Sequence, residues 1–323
     1  KNTYAYDLMG NLLETKDGRA WEEDWDYTQK MEYDYAGRML KQYDALGNFA
    51  QNTYNQLGQL VTATDFNGAS TNYTYDELGR TIQITTPVDD TQTGVVKQYY
   101  DKNGNLTKTA QLRGENTWSI TENTYDARNR VTAVKHADGT YTQYAYDGAG
   151  NVTKMAMGAT ALIDMETAST GNTGYELVSY TYDQRGRLTA AADALNQTET
   201  YTYDLAGNTK TKTDRNGTVF GFTYDAMNRL LGQTAAGANG GTETIAYTYD
   251  AMGNVRTMAD SSGTTTYTYD GFGRLTKEEK DGITKIYGYD TNGNRTQFTL
   301  TVNGVEQMDT SYTYDKLDRL ETV

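Results

Sequence analysis

One motif, Tyr-x-Tyr-Asp-x-x-Gly-Asn/Arg-Leu, is written along the whole of this chain and leaves few folds open to it. Its second tyrosine falls at Tyr6, Tyr33, Tyr54, Tyr75, Tyr100, Tyr125, Tyr146, Tyr182, Tyr203, Tyr224, Tyr249, Tyr269, Tyr289 and Tyr314, which makes 14 copies spaced 20 to 36 residues apart, most often 21 or 25. A period of this size means that each copy is one supersecondary unit, able to bury its apolar face only against its neighbours. The pattern predicts a single array over residues 1–323. It begins and ends inside the motif without atypical capping copies, so the expectation is an array cut at both ends from a longer one.

Each position of the motif has a mechanical meaning. Tyrosines at i and i+2 around a threonine, as in Tyr201-Thr202-Tyr203, give the period of a strand with one aromatic face and one threonine face. Asp follows the second tyrosine in 13 copies, Asn55 being the exception, and Gly stands three residues later in 11. An Asp that accepts from the backbone two residues on, followed by a residue at positive φ, describes a type I turn closing a hairpin with a G1 bulge. Where Gly is missing the chain has Asn129, Asn228 and Asp318, types that tolerate the left-handed region. A return strand follows, with an apolar residue such as Leu12, Leu106, Val152, Leu188 or Leu275. The 21-residue spacing leaves room for a second, looser turn, for example Asp65-Phe66-Asn67-Gly68, Asp193-Ala194-Leu195-Asn196 or Asp214-Arg215-Asn216-Gly217.

The fold class this predicts is all-β, with repeated antiparallel hairpins forming a long curved sheet. Two strands per copy give about 28 strands, and at about 4.8 Å per strand the ladder extends about 130 Å. Open sheets of more than about 10 strands curl or split, which leaves a spiral, a wide barrel or shell, or a stacked solenoid. Composition at first opposes a folded chain. Leu, Ile, Val and Phe are only 47 of 323 residues and the net charge is −14, values that fit disorder. The 29 tyrosines overturn that reading. If each hides roughly 100 Å² at about 25 cal/mol/Å², it contributes about 2.5 kcal/mol, so tyrosine supplies most of the burial.

The residue after the glycine position alternates without a break: Asn11, Arg38, Gln59, Arg80, Asn105, Arg130, Asn151, Arg187, Asn208, Arg229, Asn254, Arg274, Asn294, Arg319. This predicts a structural unit of two copies, with arginine turns and amide turns in different environments on opposite rims of the sheet. An arginine there would pair with a carboxylate across repeats or stack on a tyrosine.

Composition also removes whole classes of chemistry. There is no Cys and one His, His136, so thiolate chemistry, Cys/His zinc sites and most catalytic triads are excluded. The acidic balance opposes any partner held by its phosphates, and no nucleic-acid partner is expected. No apolar run approaches the roughly 18 residues of a membrane span, and nothing resembles a signal peptide. The acidic clusters Glu22, Glu23, Asp24, Asp26 and Asp89, Asp90 lie between copies and read as solvated loops. Trp21 and Trp25 beside the first cluster are the candidate ligand site, a platform for stacking sugars. The Asp-x-Asn-Gly turns at Asp65, Asp101, Asp214 and Asp290 look like the start of a calcium loop but lack its closing Glu, so they read as hairpin turns and no metal or cofactor is expected. His136 reads as a surface residue. The interruptions at 157–175 and 234–242 read as loops leaving the sheet.

Tyr-Thr-Tyr-Asp-Ala-Met-Gly-Asn-Val at 247–255 and Tyr-Thr-Tyr-Asp-Gly-Phe-Gly-Arg-Leu at 267–275 resemble the YD-repeat, or Rhs-repeat, family almost letter for letter, and the likeness covers the whole chain. The resemblance implies a sheet spiralling into a hollow shell, as in Rhs and Tc toxins, bacterial wall-associated proteins and teneurins. In the toxins the shell encloses a C-terminal effector released by aspartyl autocleavage at an Asp-Pro pair. Here Pro87 follows Thr86 and no Asp-Pro exists, so autocleavage is not assigned to these residues. The expected function is a non-enzymatic shell or scaffold of a secreted or cell-surface protein, enclosing or displaying an effector outside this chain. Its expected partners are further repeats of the same parent chain, an encapsulated toxin domain, or surface glycans. The alternatives are a carbohydrate- or cell-surface-binding adhesion module and a strand-paired extracellular filament.

Overall fold

The structure, a computed structural model, describes residues 3–16, 28–88, 92–171, 174–237, 240–315 and 317–323. Among these residues there are 29 strands and no helix. The strands pair antiparallel, 27 of them in one sheet and the last two, Thr313–Tyr314 and Leu320–Thr322, in a separate hairpin. The predicted all-β hairpin array is therefore the fold.

The chain divides into two compact units. The first comprises Lys1–Tyr99, Ala110–Ser119 and Gly282–Val323, and the second Tyr100–Thr109 and Ile120–Asp281. Within the second, the strands Leu188–Ala192, Thr198–Tyr203, Thr209–Thr213 and Val219–Tyr224 each pair with the next in chain order. Within the first, Phe49–Tyr54, Leu60–Thr64, Ser70–Tyr75 and Thr81–Pro87 do the same. In the hairpins of both units the register slips by one residue just before the second tyrosine, as between Thr202 and Tyr203 or Thr74 and Tyr75. This is the bulge that the Asp-x-x-Gly turn demands.

The two-residue period of the sequence becomes a two-sided sheet. Along Thr198–Tyr203 exposed and half-buried residues alternate, with Tyr201 and Tyr203 half-buried and Thr202 out. On the threonine side hydroxyls meet across the ladder, Thr202 with Thr211 at 2.5 Å, Thr248 with Thr257 at 2.6 Å and Thr181 with Thr189 at 3.0 Å. Fully buried apolar side chains are few and small: alanines such as Ala133 and Ala191, with Met31 and Leu177 the larger ones. Most of the motif's second tyrosines, Tyr54, Tyr75, Tyr146 and Tyr203 among them, are half-buried rather than encased. Tyr6 is 59% exposed.

The interruption at 157–175 does not leave the sheet. Strand Val152–Ala159 ends, and the chain doubles back over the face that carries Gln143, Lys154 and Ala156. Gln143 reads the backbone of Ile163 in both directions, donating to its carbonyl at 3.0 Å and accepting from its N–H at 2.7 Å. Lys154 Nζ donates to the carbonyls of Met165, Glu166 and Ala168 at 3.0, 3.1 and 3.0 Å. Those carbonyls converge because residues 164–168 make one helical turn: Ala168 N–H bonds Asp164 O at 2.9 Å, and the Asp164 carboxylate caps it through Glu166 N–H. Ala156, Ala168 and Leu177 are buried together beneath this strap, flanked by Ile163, Met165 and Tyr175.

Candidate functional site

The repeated chemistry of the chain sits in its turns. In Asp204-Leu205-Ala206-Gly207-Asn208 the Gly207 N–H bonds Asp204 O at 3.2 Å and the Asp204 N–H bonds Asn208 O at 2.9 Å. Gly207 has φ +101°, and Asn129, Asn228 and Asp318 take the same left-handed position at φ 60°, 61° and 60°. The Asp carboxylate then fastens the loop from inside. Asp204 Oδ1 accepts from Gly207 N–H and Asn208 N–H at 2.8 and 2.9 Å, while Oδ2 accepts from Asn208 Nδ2 at 3.0 Å. The alternating position is the one that reaches Oδ2, by Nδ2 in the Asn copies and by Nε in the arginine copies, as in Arg187 to Asp183 at 2.7 Å. The turns at Asp65, Asp193 and Asp214 have the same backbone bonds and are no looser. At Asp260 the turn is shorter, Asp260 pairing directly with Gly263.

The alternation has a second purpose. Arg187 stacks its guanidinium 4.4 Å over the ring of Tyr203 in the next copy and reaches the Asp204 carbonyl at 3.4 Å. Arg130 does the same to Tyr146 and Asp147, at 4.3 and 3.3 Å. In three amide copies, where the left-handed residue of the following turn is not glycine, the amide instead donates to its side chain: Asn105 to Asn129, Asn208 to Asn228 and Asn294 to Asp318, at 2.9, 2.9 and 2.6 Å. Arginine and amide turns thus touch their successors in sequence and share one rim. The expectation of opposite rims is corrected, because two antiparallel strands per copy return every tyrosine strand to the same direction. The carboxylate partner of each arginine is in its own turn; what crosses to the next copy is the stacking and, at Arg130 and Arg187, a bond to the carbonyl of the next Asp.

The tyrosines are tied in a way the sequence did not announce. The hydroxyl of the second tyrosine donates to the backbone carbonyl that begins the preceding return strand. Tyr54 reaches Met39 at 2.9 Å, Tyr75 reaches Leu60 at 2.7 Å, Tyr146 reaches Val131 at 2.6 Å and Tyr203 reaches Leu188 at 2.7 Å. Tyr125, Tyr182, Tyr224, Tyr249 and Tyr314 make the same bond to Leu106, Val152, Thr209, Leu230 and Arg295. Each of those carbonyls lies at the bulge, where the ladder leaves an acceptor over. Replacing Tyr203 by Phe keeps the ring and strands the Leu188 carbonyl, so a loss of about 1 kcal/mol is expected in a denaturant titration. An unchanged midpoint would contradict this role.

Electrostatics follow the same geometry. The Asn208 side chain first, then its N–H, holds Asp204 below the ordinary carboxylate value, and at Asp183 the Arg187 backbone N–H and then its side chain do so. Asp260, bonded to the Ser262 hydroxyl and N–H, falls to about 2. Among the described residues every carboxylate with a resolved shift moves down. Tyr201 goes the other way, to about 12, because its hydroxyl donates to Glu199 at 2.7 Å and burial adds to the effect. Depressed aspartates stabilise the fold above their unfolded value near 3.8 and lose that contribution as pH falls through the folded values. The melting temperature should therefore be flat between about pH 5 and about pH 9 and fall progressively below about pH 4, read by circular dichroism. A melting temperature still unchanged at about pH 2.5 would remove the turns from the stability account.

Trp21 and Trp25 and the two acidic clusters lie outside the described residues. His136 opens a turn, with its N–H bonded to Thr140 O at 2.8 Å and its Nε2 2.8 Å from the Thr142 hydroxyl. A cleft of about 840 Å³ runs beside Arg185, Arg187, Tyr203, Phe222 and Tyr224, and its Arg187 is already committed to Asp183 and Tyr203. The turns at Asp65, Asp101, Asp214 and Asp290 are hairpin turns.

Comparison with known proteins places this geometry. The family described as RHS Repeat matches residues 54–91, 125–160, 182–214, 203–242 and 249–282. The fold is similar to that of a chain in the Tc holotoxin pore of Photorhabdus luminescens, with a TM-score of 0.63 and 16% identity over 98% of this chain and 19% of that one. It is also similar to a chain in the crystal structure of TcdB2-TccC3-TEV, with a TM-score of 0.52 and 15% identity over 99% of this chain and 22% of that one. This chain thus spans about a fifth of the length of either. No curated protein matches the sequence. Family match, hairpin register and Tyr-Asp turns agree, and the chain belongs to the RHS repeat family.

Proposed function

We propose that this chain is a structural scaffold, a single repeat array whose sheet is part of a shell enclosing or displaying a C-terminal effector of its parent protein. The observation that carries this reading is the tie of each tyrosine to the preceding hairpin. Hydroxyl-to-carbonyl bonds recur at nine copies, so the side chains that other folds would place in a cleft here join one repeat to the next. The likeness in fold to chains of Tc toxin complexes supports it, since those chains are several times longer.

In this reading the array performs no catalysis. Its turn carboxylates accept from the N–H groups and side chains of their own loops, which suits fasteners and not general acids. The parent is secreted or surface-attached, its partners being further repeats and the enclosed effector. No helix of the described residues is long and apolar enough to cross a membrane.

The test is protease protection of the full parent chain. A segment following the repeats should resist a non-specific protease in the intact protein and be digested once it is expressed alone. Digestion at equal rates in both forms, or a parent with no segment beyond the repeats, would overturn enclosure.

A further inference from the structure

Four turns of this chain carry the same tetrapeptide pattern, Asp-x-Asn-Gly, at Asp65, Asp101, Asp214 and Asp290. Their backbones are alike. The glycine N–H bonds the Asp carbonyl at 3.0 Å in Gly68 and Gly217 and at 3.2 Å in Gly104 and Gly293. In all four the Asp Oδ1 accepts from the Asn N–H at 2.9 Å. The asparagine side chains differ. Asn103 donates to Asn129 Oδ1 at 3.1 Å and Asn292 to Asp318 Oδ1 at 3.3 Å, each acceptor belonging to the left-handed residue of the next turn. Among the described residues no side chain holds the carboxamide of Asn67 or Asn216. Exposure does not separate the pairs, since Asn67, Asn103 and Asn216 are all exposed.

An asparagine followed by glycine can cyclise, because glycine lacks the Cβ that would hinder approach to its nitrogen. The Gly68 nitrogen attacks Asn67 Cγ; the N–Cγ bond forms, the Cγ–Nδ2 bond breaks, and ammonia leaves with the glycine amide proton. Water then opens the succinimide at either carbonyl, giving aspartate or isoaspartate. Ring closure needs the carboxamide to swing toward the glycine nitrogen. That rotation is free at Asn67 and Asn216 and opposed at Asn103 and Asn292, where Nδ2 is bonded to the neighbouring turn.

We propose that Asn67 and Asn216 are sites of spontaneous deamidation in the folded protein, and that Asn103 and Asn292 are protected by the turn that follows them. Each event adds one negative charge and, in the isoaspartyl product, one backbone methylene to the loop. Asn303 of Asn303-Gly304 lodges against Gly282 and stands outside this comparison.

The test is incubation of the folded chain in mildly alkaline buffer, followed by peptide mapping with mass detection and isoaspartate assay. Conversion at Asn67 and Asn216 should run at least severalfold ahead of Asn103 and Asn292, and the four rates should converge in denaturant. Asn129→Gly and Asp318→Gly keep a residue suited to the left-handed turn while removing the acceptor. They should raise conversion at Asn103 and Asn292, respectively, toward the Asn67 rate. Equal rates at all four sites in the folded chain, or no change at Asn103 in Asn129→Gly, would overturn the proposal.

Discussion

Replacing Leu177 by alanine should cost about 3 kcal/mol and lower the melting temperature by roughly 4–5 °C. Leu177 is 2% exposed and packs with Ala156 and Ala168 under the strap of residues 160–171, and among the described residues Met31 is the only other large apolar side chain that is buried. The strap is pinned by Gln143 and Lys154, so it cannot settle into the space left behind, and a residual cavity adds to the lost transfer term. Leu205 is the control. It stands at a turn tip, 94% exposed, and its alanine variant should stay within about 0.5 kcal/mol of the parent. Calorimetry of the two variants decides the matter: if they melt alike, the strap is not a packed element.

Lys154→Met should release the strap without unfolding the sheet. The variant keeps an apolar stem but leaves the carbonyls of Met165, Glu166 and Ala168 without their common donor, a loss of about 2 kcal/mol felt locally. Hydrogen exchange at the Ile163 and Ala168 amides should accelerate about 30-fold, since about 1.4 kcal/mol is a factor of 10 in an opening equilibrium. Amides of Thr198–Tyr203 should keep their protection. Uniform acceleration across that strand as well would mean that Lys154 supports the sheet itself.

Much of this fold could be read from residue types. The Asp-x-x-Gly spacing specified turn, bulge and register together, because only a left-handed fourth residue closes that loop, and Asn129, Asn228 and Asp318 kept to the rule. The strap could not be read. Nothing at 157–175 repeats, and its anchors, Gln143 and Lys154, are ordinary surface types that become clamps only once the chain doubles back. The tyrosine hydroxyl bonds were hidden for another reason: the acceptor is a backbone carbonyl in the previous hairpin, 15 residues back at Tyr203 and 30 at Tyr182, and backbone acceptors leave no mark in a sequence. The alternation of amide and arginine is plain as a pattern, yet both kinds of turn share one rim, because two antiparallel strands per copy return each tyrosine strand to the same direction. Trp21 and Trp25 lie outside the described residues, and the sugar platform stays a reading of the sequence alone.

Among the described residues, the tyrosine-hydroxyl, arginine and amide ties join each repeat to an adjoining one, backward through the hydroxyl and forward through the arginine or amide. Such a molecule behaves as a one-dimensional lattice, its free energy close to a sum of pair couplings. Melting then resembles a zipper fraying, with a cooperativity length set by coupling strength and not by chain length. Excising one whole two-copy unit, as the 46 residues from Tyr203 to Tyr249, would shorten the lattice by two links while arginine and amide junctions still alternate.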